Sequence, residues 1–430
     1  MMTTTLDKYR MSSRRRARKA AAANIRLDLQ GLRALAVLAV IACSFWDNTF
    51  GGFVGIDVFF VLSGFLVTAS LFRAGKHSKT MEVGHFLWGR VLRILPAATV
   101  VLLLTYAASL LVFSPGRTDQ IGIDALLAAV FTANFHFAAL GADPFAGPMS
   151  ASPLQHYWAL AVGEQFWLVW PLLVLTAAMI AAALAWSQAR KTALVAATAG
   201  LLTIASLAWS LGVSASSPDW AYFSTFTRLW ELSVGALLAA AAGVLARTPV
   251  LIKPVLSWAG LAIIVASVFV ISESTAGYPG PWALLPVVGT ALAIAAGIGD
   301  EPMLQPLLRN RVSTYIGDLA FSLFLVHWPV IVLLSPLMHR SIYFYATTVS
   351  LTVGLALLLH HLIEKPLRHV SSAKIRDGMR AMEHGLLHIE RATKVALVAG
   401  LVLVTLALVS YAMGPDALAP AAGLTVVQAR

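Results

Sequence analysis

The chain has 430 residues, of which 59% are hydrophobic and 12% are charged, and its formal net charge is +11. A soluble domain typically carries about 25% charged residues, so this composition excludes a water-soluble globular protein. A basic chain can bind nucleic acid, but the basic residues here lie in short loops between apolar segments, and no nucleic-acid partner is expected. The single cysteine, Cys43, excludes an internal disulfide and a thiolate metal cluster, and no metal site is expected.

Residues 1–26 form a basic segment that precedes the first apolar run. Such a segment is similar to the basic region of a signal peptide. The apolar run after Leu32, however, has no small-residue cleavage site before the next apolar run begins. The sequence therefore predicts a cytoplasmic N-terminal segment followed by an uncleaved membrane helix.

Apolar stretches of 18 or more residues recur along the chain, each long enough to cross roughly 30 Å of hydrocarbon at about 1.5 Å per residue. A backbone in lipid must satisfy its own hydrogen bonds, and segments of this length do so as α-helices. The predicted fold class is all-α, a polytopic transmembrane helical bundle of about ten or eleven spans. The spans are predicted at 31–49, 53–72, 95–113, 158–185, 192–213, 226–246, 256–272, 282–298, 314–335, 343–363 and 394–413.

The apolar segment 123–140 is ambiguous, because it contains Asn134 and His136 and precedes a stretch rich in Gly and Pro. Lys and Arg collect in cytoplasmic loops. If 123–140 does not cross, the N-terminus and most basic loops share the cytoplasmic side; if it crosses, every later basic loop moves outward. We therefore predict a multi-pass protein of a bacterial cytoplasmic (inner) membrane with a cytoplasmic N-terminus. In this topology 123–140 lies in, or dips into, the outer face.

The chain after residue 368 is predicted to consist of three parts. Residues 369–393 are polar and form a cytoplasmic connector with the character of an amphipathic helix. Residues 394–413 form an additional transmembrane helix. Residues 414–430 form a disordered outer tail of Ala, Pro and Gly.

Charged residues at membrane depth are costly and commonly mark function or an internal ion pair. Arg33 and Ser44 are eleven residues apart, which places them on one face of a helix and roughly 16 Å apart along its axis. Arg33 either pairs with a phosphate or carboxylate or extends to the inner headgroups. Arg90 and Arg93, before the third span, either hold the phosphates of a cytosolic cofactor or anchor the helix in the cytoplasm.

Titratable residues also occur in the later spans. His156 and Glu164 lie two turns apart on one face of the fourth span, as an acid–base pair would, and a hydrogen bond between helices is the alternative. Arg228 and Glu231 are one turn apart, which favours a simple i,i+3 ion pair. His327 lies in the outer half of its span, where an isolated histidine is more often a hydrogen-bonded core residue than a catalyst.

Together these residues resemble the acyltransferase-3 family, the membrane O-acyltransferases that modify bacterial surface polysaccharides, peptidoglycan and some lipids. The resemblance covers 27–368 as an acyltransferase-3-like transmembrane domain. It rests on blocks that occur in the family's order. The blocks are Gly31 to Ala36, Gly51 to Thr68, Arg93 to Ala97, Ser152 to Trp158, Glu164 to Phe166, Thr227 to Glu231, His327 to Pro329, and Glu364 to Arg368.

The resemblance implies transfer of an acyl group, acetyl above all, from a cytosolic acyl-coenzyme A to a hydroxyl of a cell-envelope glycan or glycolipid. Acetyl-coenzyme A is then a donor substrate, and no bound cofactor is implied. Arg33 would face the donor, and Glu164 and His156 would lie near the acceptor. The implied catalytic residues are Arg33, Ser44, Glu164 and His156, and the implied substrate-binding residues are Arg90, Arg93, Arg228, Glu231 and His327.

The sequence departs from the family pattern at four polar positions. Relatives carry an Arg, ten residues and then a His, and Ser44 stands at the position of that His. Gln30, Ala159 and Gly163 replace an Asp, a Ser and a Glu. A serine near its free pKa cannot take a proton at neutral pH as imidazole can, so slow or absent transfer is expected.

Two other functions are alternatives to catalysis by this chain. One is a catalytically impaired family member that acts as a binding or scaffold protein in the envelope. The other is a transporter, which composition alone suggests and the motif blocks disfavour. Many relatives end in an outer hydrolase-like domain, which this sequence is expected to lack, so a separate outer-side transferase is a candidate partner.

Overall fold

The computed structural model describes residues 26–45, 50–77, 83–300, 302, 304–367 and 391–413. The predicted connector 369–393, except for its last residues, and the predicted tail 414–430 lie outside these residues, as does the N-terminal segment up to residue 25. The regular secondary structure of the described part is helical, without a strand. The prediction of an all-α polytopic bundle is confirmed.

Fourteen main helices follow one another in the described residues, apart from single helical turns. They are α1 (Leu27–Phe45), α2 (Gly55–His77), α3 (Val83–Val112), α4 (Pro115–Ala129), α5 (Ala133–Ala139), α6 (Tyr157–Ala183), α7 (Gln188–Ser216), α8 (Pro218–Phe223), α9 (Thr225–Ala240), α10 (Ile252–Val270), α11 (Leu284–Ala296), α12 (Arg311–Leu334), α13 (Ile342–Leu359) and α14 (Arg391–Met413).

Each of the eleven predicted spans overlaps one of these helices, but the helices are not equally long. Nine helices in the described part are long and apolar enough to cross a membrane. The segments predicted at 226–246 and 282–298 form α9, of 16 residues, and α11, of 13 residues. At about 1.5 Å per residue both helices are shorter than the hydrocarbon core of a bilayer.

The ambiguous segment 123–140 is not one continuous helix. Helix α4 ends at Ala129, Phe131 has a φ of 56°, and α5 follows with only seven residues. The Asn134 side chain donates to the Phe223 carbonyl and to Thr225, and accepts from Gln165, which ties α5 to α6 and α9. This shape agrees with a segment that does not cross, while its position at the outer face stays a prediction.

Helices cross closely at two places in the bundle, α1 with α12 and α2 with α9. A Cβ atom on Gly317 of α12 would overlap the Gln30 carbonyl of α1, so these two backbones touch beside Arg33. Likewise, Cβ atoms on Gly64 of α2 and Gly235 of α9 would overlap the backbone of the opposite helix. Small residues allow this approach, which membrane helices use in place of a hydrophobic driving force.

The α2–α9 crossing can be tested by a single methyl group. Gly64→Ala places its Cβ against the Leu232 carbonyl, and overpacking of this kind typically costs about 1–3 kcal/mol. We expect a lower thermal midpoint in detergent than for Gly212→Ala on α7, where an added Cβ meets nothing within 4 Å. Both changes raise helix propensity equally, so equal midpoints would show that the crossing is not close.

Candidate active site

The predicted arginines meet in one cavity, which we call the arginine cavity. It lies among α1, α2, α3, α6 and α12 and encloses about 860 Å³ of space, part of it open to solvent. Its charged lining comes from helices far apart in sequence, and most of the remaining wall is apolar or aromatic. The charged lining residues are Arg33, Arg90, Arg93, Glu164 and Asp318.

Glu164 is bound to Arg90 inside this cavity. An Arg90 Nη atom lies 2.9 Å from a Glu164 carboxylate oxygen, and the guanidinium stacks on the Trp167 ring, 3.8 Å from its centroid. Glu164 does not pair with His156, which lines a different cavity. His156 and Glu164 are eight residues apart, which separates them by about 12 Å along the helix axis. Lying on one face of the helix therefore does not bring the two side chains into contact.

Arg33 contacts Gln30, the residue that stands where the family resemblance implies an Asp. An Arg33 Nη atom donates to the Gln30 side-chain oxygen at 3.3 Å. The amide is uncharged and does not neutralise the guanidinium as a carboxylate would. The wall also contains Ala159 and Gly163, and a Cβ on Gly163 would meet nothing within 4 Å, so there is open space beside this glycine.

A second cavity, the histidine cavity, includes Ser44, His156 and His327 in its wall; it has about 540 Å³ of space, part of it open to solvent. It therefore brings together one residue from α1, one at the start of α6 and one from α12. Ile56 and Phe324 line both cavities, so these two apolar side chains form the partition between them.

His156 presents an unpartnered nitrogen within the bundle. Its Nε2–H donates to the Leu325 carbonyl at 3.1 Å, while its buried Nδ1 has no hydrogen-bond partner among the described residues. In a neutral imidazole this arrangement leaves the lone pair on Nδ1. The His327 ring lies 5.6 Å from that of His156, and its Nδ1–H donates to the Phe324 carbonyl at 2.7 Å. Either imidazole can accept a proton through its remaining nitrogen.

Ser44 shares this cavity but is engaged by its own helix. Its hydroxyl donates to the Val40 carbonyl at 3.0 Å, one turn earlier in α1. Sequence reasoning paired His156 with Glu164 and treated His327 as isolated. The two histidines are 171 positions apart, and no local spacing signals that α6 and α12 bring them together.

Arg228 and Glu231 form the predicted ion pair, at 3.1 Å. The same Arg228 nitrogen lies 2.9 Å from Asp57 of α2, whose other oxygen accepts from the Tyr278 hydroxyl at 2.6 Å. Burial, reinforced by Asp57, raises the pKa of Tyr278 well above its usual value, which keeps this hydroxyl protonated as a donor. Sequence reasoning did not anticipate Asp57 and Tyr278 as members of this cluster.

This cluster lies behind the histidine cavity rather than in its wall. Arg228 and Glu231 line neither cavity, in contrast to their predicted place in the outer site. Arg228 instead donates to the carbonyl of Tyr222, and Tyr222 does line the histidine cavity. The cluster thus supports the wall. Among the described residues, no group of three or more His, Cys, Asp or Glu could hold a metal ion.

A family model described as "Acyltransferase domain" matches residues 26–361. The chain is 31% identical over 353 residues to the putative peptidoglycan O-acetyltransferase YrhL of Bacillus subtilis, covering 79% of this chain and 54% of that protein. It is 30% identical over 357 residues to the peptidoglycan O-acetyltransferase OatA of Listeria monocytogenes, covering 79% of this chain and 55% of that protein.

A putative O-acetyltransferase of Staphylococcus aureus is 27% identical over 390 residues, which cover 87% of this chain and 61% of that protein. The chain thus spans little more than half the length of the curated relatives it matches. No solved structure matches it significantly.

Proposed function

Because the chain belongs to the acyltransferase-3 family, we propose that it moves an acyl group, acetyl above all, from acyl-coenzyme A to a hydroxyl of a cell-envelope glycan or glycolipid. The observation that carries this proposal is the pair of cavities of opposite chemistry that share the Ile56–Phe324 partition. One cavity is basic, as a phosphate-bearing donor requires. The other contains imidazoles, as an acceptor hydroxyl requires.

The donor is assigned to the arginine cavity. The planar forks of Arg33, Arg90 and Arg93 suit the phosphates of coenzyme A, and the apolar lining suits its pantetheine arm and acyl group. Arg33 lies near the start of α1, whereas Ser44 lies about 16 Å further along the same helix. This separation supports a donor that enters from the cytosol and an acceptor on the outer side, with the N-terminus in the cytoplasm.

The base is assigned to His156. The acceptor hydroxyl gives its proton to Nδ1 as its oxygen forms the new bond to the acyl carbon. The carbon–sulfur bond breaks, and the coenzyme A thiolate leaves and takes the proton from the imidazolium. The acyl group must pass the Ile56–Phe324 partition before this step. His156 would thereby perform the role of the histidine that the family resemblance implies at the position of Ser44.

Transfer can be measured with radiolabelled acetyl-coenzyme A and membranes containing the protein. We expect label in base-labile ester linkage to envelope glycan or glycolipid, and none from membranes of a deletion strain. Binding of coenzyme A without any transfer to envelope material would contradict the proposal. That result would favour a non-catalytic family member that acts as a binding or scaffold protein.

Donor binding provides a separate prediction on Arg33. Arg33→Lys keeps the charge but loses the bidentate fork, and losing one charge-assisted hydrogen bond costs about 1.5–3 kcal/mol. We expect coenzyme A to bind roughly ten- to a hundredfold more weakly by calorimetry. Arg311→Lys, an exposed change at the start of α12, is the matched control. Unchanged affinity in both Arg33→Lys and Arg33→Ala would instead indicate that Arg33 extends to the headgroups.

A further inference from the structure

A groove outside both cavities is formed by α4, α5 and the loop 141–153. It has about 1170 Å³ of space, part of it open to solvent. Gln155 lines both this groove and the histidine cavity, so the two spaces adjoin. We call it the Asp124 groove. Its polar wall consists of Arg117, Gln120, Asp124, His136, Asp143 and Gln155, together with serine residues of the loop.

Asp124 holds two side chains of this groove in place. One carboxylate oxygen lies 2.9 Å from His136 Nε2, and the other accepts from the Ser152 hydroxyl. The carboxylate is almost fully buried, whereas His136 is 19% exposed. With Nε2–H donating to Asp124, the neutral ring offers Nδ1 as an acceptor. The Ser152 carbonyl accepts from Trp328 Nε1 at 2.8 Å, which links the groove to a second residue of the histidine cavity.

The loop wall of the groove is fixed before any ligand binds. The Arg117 guanidinium donates to the carbonyls of Met149 and Ala151, at 2.8 and 3.1 Å. The Gln155 amide donates to the Asp143 carbonyl at 2.8 Å. Groups held in this way lose little conformational entropy on binding, which favours recognition of a weakly attracted ligand.

The charges of the groove indicate what it recognises. Among the described residues that line the groove, Arg117 is the only Lys or Arg, and Asp124 and Asp143 supply two carboxylates. The Arg117 guanidinium is already engaged by the loop carbonyls. There is no excess of positive charge for a phosphate. Amide, imidazole and carboxylate groups instead offer donors and acceptors side by side, which is how a sugar hydroxyl, both donor and acceptor, is bound.

We propose that the Asp124 groove binds an uncharged, hydroxyl-rich glycan chain and delivers one of its hydroxyls past Gln155 into the histidine cavity. This inference rests on the proposed function and gives its acceptor a site. The ligand proposed for the groove is the glycan and not the phosphate-bearing head of a lipid. Asp124, His136 and Gln120 are substrate-positioning residues in this proposal, because they lie outside the cavity that contains the base.

The test measures binding, which does not depend on transfer. The probe is the hexamer of N-acetylglucosamine, an uncharged glycan, titrated into the purified protein in detergent. We expect saturable binding that weakens at least about tenfold in His136→Ala and in Gln120→Ala, since each removes hydrogen bonds to the ligand. Gln120 is exposed, so its change does not endanger folding. Asp219→Asn and His339→Ala, also exposed, are matched controls that should bind normally.

Three outcomes would overturn the inference. One is absence of hexamer binding by native protein that still binds coenzyme A. The second is normal hexamer binding by both groove variants. The third is tighter binding of poly(glycerol phosphate) than of the hexamer. Coenzyme A binding is measured on the same samples. Loss of hexamer binding with normal coenzyme A binding would contradict only the groove proposal, whereas loss of coenzyme A binding would contradict the proposed function. If transfer occurs, the groove variants should raise the KM for the glycan and leave kcat unchanged.

Discussion

His156→Ala is expected to reduce acyl transfer by about 10²–10⁴-fold, the usual contribution of a general base. The physical reason is the unpartnered Nδ1 of His156, which can accept the hydroxyl proton in the cavity that Ser44 also lines. Ser44→Ala should change the rate by no more than about threefold, because losing a neutral hydroxyl already bonded to Val40 is a small perturbation. The measurement is release of coenzyme A from acetyl-coenzyme A by purified protein with envelope extract.

Two controls separate loss of the base from loss of the fold. Coenzyme A should bind His156→Ala as it binds native protein, since His156 does not line the arginine cavity. His327→Ala tests whether the neighbouring imidazole acts instead. Full activity of His156→Ala together with inactive His327→Ala would reassign the base to His327. A large gain of activity in Ser44→His would support the sequence-based expectation that the base is missing.

Arg228→Leu is expected to destabilise the protein by about 3–5 kcal/mol, the usual result of breaking a buried ion pair. Arg228, Asp57 and Glu231 are each at most 1% exposed, so removing the cation leaves two carboxylates in the interior without a counter-charge. Unfolding in detergent, followed by intrinsic fluorescence, measures the loss. Arg311→Leu, at an exposed position, is the matched control.

The mechanism of this loss can be checked by rescue. Adding Asp57→Asn and Glu231→Gln to Arg228→Leu removes the uncompensated charges, so the triple variant should recover part of the stability. Arg228→Lys should be intermediate, since it keeps the charge but loses the bond from Nε to the Tyr222 carbonyl. If Arg228→Leu unfolded like Arg311→Leu, the cluster would contribute little to stability.

The amino-acid sequence by itself determined the membrane architecture and the local pairs. Apolar runs and low charge predicted helices wherever the structure has its membrane-length helices, because a span must satisfy its backbone within itself. Helical periodicity predicted the Arg228–Glu231 pair, since an i,i+3 pair is a property of one helix. The shared face of Arg33 and Ser44 stays a prediction, and the two residues line different cavities. Polar residues in 123–140 indicated a segment that would not cross as a single helix, and the break at Phe131 agrees with this.

Only the tertiary structure decided which helices meet. The pairs Asp57–Arg228 and Arg90–Glu164, and the proximity of His156 to His327, join residues 74 to 171 positions apart in the chain. Local periodicity carries no information on such distances. A span that is apolar on all sides also gives no sign of which face meets a neighbour and which meets lipid, because both environments are equally apolar. For that physical reason the spans could be predicted from the sequence, and the two cavities between them could not.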